Sequence, residues 1–186
     1  MRGDGTIYIE RDGIIIRDIQ PGDTEAFIKM ASDGSLTEIF GNCADCSTWM
    51  GGWADEAAYL AKKDNPLNGY LAYSIVCKSN NQVAGSVGCS YYEDKKETGI
   101  TYFTGGIYRG KGYASLAAGI YSSYFLEHYP DIPYLIATVR VDNIPSCKVA
   151  ENAGFLLEET KLYQDIYDNE PCKYNFYIKK RNTGKT

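Results

Sequence analysis

Glu97-Thr98-Gly99-Ile100-Thr101-Tyr102-Phe103-Thr104-Gly105-Gly106-Ile107-Tyr108-Arg109-Gly110-Lys111-Gly112-Tyr113-Ala114 is the stretch on which the fold turns. Its first eight residues, rich in threonine, isoleucine and aromatics, read as a strand. Beyond the glycine loop, Leu116, Ala117, Ile120, Tyr121, Tyr124 and Phe125 recur at helical spacing, which predicts a helix from about Gly112 to Glu127. A strand that opens through glycines into a helix leaves unpaired N–H groups at the positive end of the helix dipole. Gly110 and Gly112 let a ligand approach that backbone closely. Arg109 and Lys111 add positive charge at the rim, and a diphosphate suits such a place.

Two familiar nucleotide motifs do not fit. A dinucleotide fingerprint needs a third glycine and a preceding βαβ unit. Here the loop runs on as Tyr113-Ala114-Ser115. A P-loop needs Ser or Thr after its lysine, to hold magnesium. Gly105, Gly110 and Lys111 have the spacing, but Gly112 stands where the hydroxyl belongs.

Upstream, Tyr70–Cys77 and Gln82–Tyr91 read as strands joined by Ser79-Asn80-Asn81. With Glu97–Thr104 they form an antiparallel meander. Nearer the N-terminus, Thr6–Glu10 and Ile14–Ile19 read as a short strand and a longer one across Asp12-Gly13, a hairpin signal. Asp23 or Thr24 then caps a helix with Ala26, Phe27, Met30 and Ala31 on its buried stripe. The pattern from Gly34 to Gly52 is irregular, and Trp49 and Trp53 serve there either as a cover for a site or as core. Asp55–Lys63 reads as helix, ended by Asn65-Pro66. Downstream come a strand at Tyr134–Val139 and a helix opened by Asn143-Ile144-Pro145 and ended at Ala153-Gly154. Strands at Phe155–Ile166 and Cys172–Lys179 complete the chain. One domain is expected over 14–180, with an N-terminal extension over 1–13 carrying an edge strand and a tail over 181–186.

The composition, 44% hydrophobic and 23% charged over 186 residues, is that of a globular chain with one core. No apolar run approaches the roughly 18 residues of a membrane span, and the first residues lack a signal peptide's apolar stretch. A cytoplasmic protein without a membrane partner is expected. The net charge of -5 argues against a nucleic-acid partner. The six cysteines read as reduced thiols. Cys43-Ala44-Asp45-Cys46 has a metal-like spacing but no second ligand pair, and His128 is the chain's one histidine. The pair reads as ordinary loop residues, and no metal is expected.

Two motifs together resemble the GNAT superfamily of N-acyltransferases. Arg109-Gly110-Lys111-Gly112-Tyr113-Ala114 is similar to its diphosphate signature. Asn143-Ile144-Pro145-Ser146, on a helix that runs to Gly154-Phe155, is similar to its second motif. One helix and one strand separate them, as in the family, and the element order fits from Ile14 to Lys180.

The resemblance implies an α/β (α+β) fold: a mixed, mostly antiparallel sheet, splayed between the family's strands 4 and 5 (here 97–104 and 134–139), with helices on both faces. It implies acetyl-CoA as co-substrate in that gap. Main-chain groups of Tyr102, Phe103 and Thr104 would pair with the pantetheine arm. The amides of Arg109, Gly110, Lys111, Gly112, Tyr113 and Ala114 would hold the diphosphate, and the side chains of Asn143 and Ser146 would reach the cofactor. The implied reaction is acetyl transfer to a primary amine, of a small molecule or a protein N-terminus, by direct attack in a ternary complex. Homodimers are common among the family's members.

The chain departs from the family at Ala150, where many members carry the tyrosine that protonates the departing thiolate. It is more similar to the ribosomal-protein N-terminal acetyltransferase subgroup, which has a serine at position 146. Ser146 is therefore the candidate acid, against a simple local backbone bond. Glu97 is the candidate base, against an ordinary solvated charge. The position where the subgroup often carries an acid is Gly99. An inactive CoA-binding regulatory module is the alternative that Ala150 raises. A thiol carrier at Cys147 ranks last, because neighbouring helix residues point about 100° apart.

Overall fold

The protein is described by a computed structural model covering residues 6–34, 36, 39, 46–165 and 168–181. Eight strands form one sheet: β1 (Tyr8–Arg11), β2 (Ile14–Asp18), β3 (Tyr70–Cys77), β4 (Gln82–Tyr92), β5 (Glu97–Thr104), β6 (Tyr134–Arg140), β7 (Leu156–Tyr163) and β8 (Cys172–Lys180). Among the described residues, four α-helices of more than one turn accompany them: α1 (Thr24–Ser32), α2 (Cys46–Lys63), α3 (Tyr113–His128) and α4 (Ile144–Asn152). The spatial order is β1-β2-β3-β4-β5-β6-β8-β7. Every neighbouring pair is antiparallel except β5 and β6, which run parallel.

Local chemistry sets the turns. Asp12 (φ 50°) and Gly13 (φ 86°) are both left-handed, as a two-residue turn between twisted strands requires. Arg17 grips the Asp23 carboxylate with both terminal guanidinium nitrogens, at 2.6 and 2.8 Å, and Ser74 of β3 donates to it at 2.6 Å. That knot ties β2, β3 and the start of α1 together. The carboxylate also accepts from the Gln20 amide. Burial opposes ionisation of Asp23, yet these donors outweigh it and hold its carboxyl below the usual range.

The helices divide between the two faces of the sheet. Phe27 of α1 and Trp53 of α2 meet edge-on at 5.3 Å, and both lie against Phe103 of β5. Tyr121 of α3 packs on Tyr73 of β3 and donates to the Cys89 sulfur of β4. Residues alternate across a strand, so odd-numbered β5 residues face α1 and α2 while even-numbered ones face α3 and α4. Helix α3 is buried on several sides, at Ala117, Ala118, Ile120, Tyr121, Phe125 and Leu126. Lys179 of β8 fastens it to α4, donating to Ser122 Oγ at 2.7 Å and to the Ala153 carbonyl at 2.9 Å. Burial draws the Lys179 pKa down.

Two expectations need correction. Helix α2 begins at Cys46, well before Asp55, and Gly51-Gly52 lie inside it. Met50, Ala54, Ala57 and Ala61 make a buried stripe at helical spacing. Their burial outweighs the ~1 kcal/mol that each interior glycine costs. Cys46 is thus a helix residue, its thiol directed at the Ile28 carbonyl of α1, while Cys43 lies outside the described residues. The first strand spans Tyr8–Arg11, two residues later than expected at its start.

Candidate active site

Strands β5 and β6 touch at a single register point, Gly99 opposite Ile136. Past it, β5 continues to Thr104 and β6 to Arg140 without pairing to each other. This is the expected splay, between the fifth and sixth strands here because β1 adds one. On its other edge β5 remains fully paired to β4. The Gly105 amide bonds to the Ala84 carbonyl. Antiparallel alternation then turns the main-chain groups of Thr101 and Phe103 toward β4 as well, and those of Tyr102 and Thr104 toward the gap. Of the three expected pantetheine contacts, Tyr102 and Thr104 have open polar groups there, and Phe103 does not.

The glycine loop leads into α3 at the end of β5. Gly110 (φ 71°) and Gly112 (φ 79°) are left-handed, and a β-carbon at either would point into open space. Their requirement for glycine is conformational. No side chain caps α3 at Gly112. Among the described residues, the amides of Gly110, Lys111 and Gly112 donate to no protein acceptor. Those of Tyr113 and Ala114, in the first turn, have no acceptor within the helix. Lys111 lies over the Tyr108 ring at 5.8 Å, and Arg109 immediately precedes the two glycines. Of the six expected diphosphate residues, Arg109 has its amide engaged by the Gly106 carbonyl at 3.2 Å, and the open donors that end the gap are those from Gly110 to Ala114.

Helix α4 begins on the opposite wall. The Asn143 carboxamide oxygen accepts from the Ser146 amide at 3.2 Å, so this side chain caps its own helix. The Ser146 hydroxyl makes no hydrogen bond to another described residue, whereas the Ser146 carbonyl accepts from the Tyr102 hydroxyl at 3.0 Å. Burial pushes the Tyr102 phenol well above its ordinary pKa, which keeps it an O–H donor. Ala150 is fully buried in α4. Cys147 is buried as well, with its thiol directed at the Arg140 carbonyl.

Glu97 stands on the other face of the sheet. Its carboxylate accepts from Tyr134 of β6 at 2.8 Å, a bond that raises the Tyr134 pKa. It borders a cleft of about 330 Å³ shared with Ile136, Glu158, Lys161, Tyr163 and Phe176. Glu97 and Ser146 are thus not brought together: the sheet lies between them. Gly99, on Glu97's side, has no room for an acid, because any side chain there would strike the Tyr92 ring. Burial first of all drives the Tyr92 hydroxyl up to about 12.

Three side-chain placements escaped the sequence reading. The Tyr102 phenol spans to α4. Cys77 is hydrogen-bonded to Ser79 and to Tyr113, each at 3.2 Å, which lowers its thiol pKa beside the loop. Thr138, two residues past the contact on β6, has a buried hydroxyl with no partner among the described residues. Nothing in their sequence neighbourhoods signals these contacts. No group of His, Cys, Asp and Glu suited to a metal occurs among the described residues, and no helix there is long and apolar enough to cross a membrane.

Known proteins share this arrangement. A family model described as an acetyltransferase (GNAT) domain matches residues 14–156. A GNAT-family acetyltransferase from Bacillus anthracis superposes with a TM-score of 0.77 at 20% identity, over 94% of this chain and 98% of that one. The microcin C7 self-immunity acetyltransferase MccE, solved with acetyl-CoA and AMP, gives 0.72 at 20% identity, over 91% and 93%. RimL, a ribosomal L7/L12 α-N-protein acetyltransferase solved with coenzyme A, gives 0.75 at 17% identity, over 96% and 100%. No curated protein matches the chain in sequence.

Proposed function

The chain belongs to the GNAT acetyltransferase family, and on that premise we propose that it is an N-acetyltransferase moving an acetyl group from acetyl-CoA to a primary amine in a ternary complex. One observation carries the reading. Two left-handed glycines deliver an uncapped helix start, with its open amides, to the end of an unpaired sheet gap.

The residues present fit acetyl-CoA. Open amides from Gly110 to Ala114, with Arg109 and Lys111 beside them, suit a diphosphate. The gap-facing groups of Tyr102 and Thr104 suit a pantetheine arm, as an added strand would pair. The buried, unpartnered Thr138 hydroxyl is a further polar group in the unpaired stretch. When bound, acetyl-CoA supplies an acetyl group already activated as a thioester.

The chain's own residues then have separate tasks. The Thr104 amide is the donor placed to stabilise a developing oxyanion. Ser146, its hydroxyl unclaimed, is the hydrogen-bond donor for the thiolate side, and Asn143 fixes the turn that carries it. Glu97 serves on the opposite face as the base that receives the amine proton, with Tyr134 orienting its carboxylate. Holding both substrates together supplies much of the acceleration, and no covalent intermediate on the enzyme is needed. The acceptor class is a primary amine. RimL is named for acting on a protein N-terminus, and that likeness favours the same kind of acceptor here over a small-molecule amine.

The buried Ala150 favours a second reading, a CoA-binding module without catalysis. Two measurements separate the readings. Acetyl-CoA should raise the melting temperature by mass action, where ATP or NAD should not. Thiol release should then accelerate with peptide N-termini or another member of an amine panel. Stabilisation with no accelerating amine supports the module, and no stabilisation by acetyl-CoA defeats both.

A further inference from the structure

Strand β7 breaks its own alternation at the Glu97 cleft. Leu157 lies opposite Tyr177 and Glu159 opposite Phe176, so Glu158 is one residue in excess. Neighbours on a regular strand face opposite sides of a sheet. The bulge instead lets Glu158 and Glu159 line one cleft, together with Glu97 and Lys161. We propose that Glu158 is a specificity-determining residue, which selects acceptor amines carrying a second positive charge beyond an aliphatic spacer. Such selection rests on the reading of Glu97 as the base that meets the acceptor's reacting nitrogen.

Internal pairing leaves two carboxylates over. Lys161 binds Glu159, and Lys95 binds Asp94 at 3.1 Å. Among the described residues no cation pairs with Glu97 or Glu158. The Tyr134 hydroxyl feels both glutamates: its bond to Glu97 first, then burial, then the charges of Glu97 and Glu158 push its pKa up. The cleft already accommodates ammonium groups. Lys161 Nζ lies over the Phe176 ring at 4.3 Å, and Lys95 Nζ over the Tyr163 ring at 3.8 Å. Aromatic faces attract cations through the ring quadrupole. The chain's own amines thus show the chemistry the cleft takes, and two acids remain for an amine from outside.

The dimensions suit a linear acceptor. Strands β6 and β8 separate β5 from β7, which at about 4.8 Å per strand sets the two outer backbones roughly 14 Å apart. Glu97 and Glu158 line the cleft from either end of that interval, with Ile136 of β6 and Phe176 of β8 between them. An acceptor with an ammonium group at each end and methylenes between would place opposite charges together and lay its apolar chain on an apolar floor. A carboxylate at the far end would meet Glu158 as a like charge, which opposes binding. A monoamine leaves Glu158 unanswered. A linear diamine and a peptide N-terminus followed by lysine both supply the required chemistry, and kinetics tells these sources apart.

Thiol release from acetyl-CoA by the full chain, with acceptors matched except for the distal charge, tests the proposal. One pair is an alkyl monoamine and the diamine of the same length. The other is a short peptide with norleucine or lysine at its second position. The dicationic member of a pair should have a kcat/KM about fivefold higher, through a lower KM, the upper end for a solvent-exposed ion pair. Glu158 is exposed, so its variants should keep the fold. Glu158→Gln should abolish the preference, and Glu158→Lys should reverse it toward a peptide with glutamate at the second position. The pair that shows the Glu158-dependent preference identifies the source of the second charge. A wild type indifferent to the distal charge in both pairs overturns the proposal, and so does a preference that persists in Glu158→Gln. Calorimetry of the CoA complex with the diamine and the lysine peptide separates this from failure of the transfer reading. If no amine is acetylated, binding that Glu158→Gln weakens upholds the charge selection while the transfer reading falls, and an absence of such binding overturns both.

Discussion

The Tyr102 hydroxyl donates to the Ser146 carbonyl oxygen at 3.0 Å, linking β5 to the first turn of α4 beyond the point where β5 and β6 part. Two walls that share one register contact are thus joined by a phenol. Burial raises the Tyr102 pKa, so the donor is not lost at any ordinary working pH. Tyr102→Phe removes the bond and should cost about 1 kcal/mol of stability. If Tyr102 also fixes Ser146, a similar loss in the transition state lowers kcat about fivefold. Thermal melts and steady-state kinetics read the two effects separately, and a stability loss with unchanged kcat makes the link structural only.

Ser146→Ala should behave differently. Its hydroxyl bonds to no other described residue, so stability should change by less than about 0.5 kcal/mol. Turnover should fall about a hundredfold if the hydroxyl serves the departing thiolate. Calorimetry with CoA should show affinity nearly unchanged. Retained turnover would take the role from Ser146.

Gly112→Val tests the loop. The space for a β-carbon is open, so the penalty comes from the left-handed φ of 79°. A β-branched residue there costs of order 1–3 kcal/mol or forces the loop into another shape. Either outcome misaligns the amides from Gly110 to Ala114. CoA affinity measured by calorimetry should fall at least tenfold. Full affinity in the folded variant would place the diphosphate elsewhere.

Glu97→Gln probes the opposite face. The amide keeps an acceptor for Tyr134 but cannot take a proton. If Glu97 is the base, kcat/KM should drop by about a hundredfold near neutral pH. The drop should also shrink as pH rises and the free amine becomes abundant. A pH profile parallel to wild type would leave Glu97 a structural partner of Tyr134.

Much of this was legible in short-range pattern. Three strands of the meander, β3, β4 and β5, lie within one residue of their expected limits because each is an apolar run ended by turn residues. The start of α3 follows from Gly112. The start of α2 was hidden, since Gly51-Gly52 weaken a helix locally and only the stripe from Met50 to Ala61 reveals it. The site was less legible than the fold. Tyr102 and Ser146 are 44 residues apart, and Cys77 and Tyr113 are 36 apart. No periodicity reports such contacts. Tyr92 over Gly99 explains an absent acid that sequence could note but not account for.

Asp23 should govern the acid limb of stability. Its folded pKa lies below the ordinary carboxylate value of about 3.9. A depressed carboxyl stabilises the fold fully above its unfolded pKa and loses that contribution as pH falls through the folded value. Removing one partner of a nearly buried pair leaves the other charge uncompensated, here Arg17, and costs about 3–5 kcal/mol. Asp23→Asn keeps the size and one acceptor, so its cost should lie near the lower end. The gap in melting temperature between wild type and Asp23→Asn should be widest near neutral pH and narrow below about pH 4. Melts from pH 7 down to pH 3 follow it. A gap independent of pH would mean that the knot of Arg17, Asp23 and Ser74 acts through hydrogen bonding and shape, with no contribution from its charge.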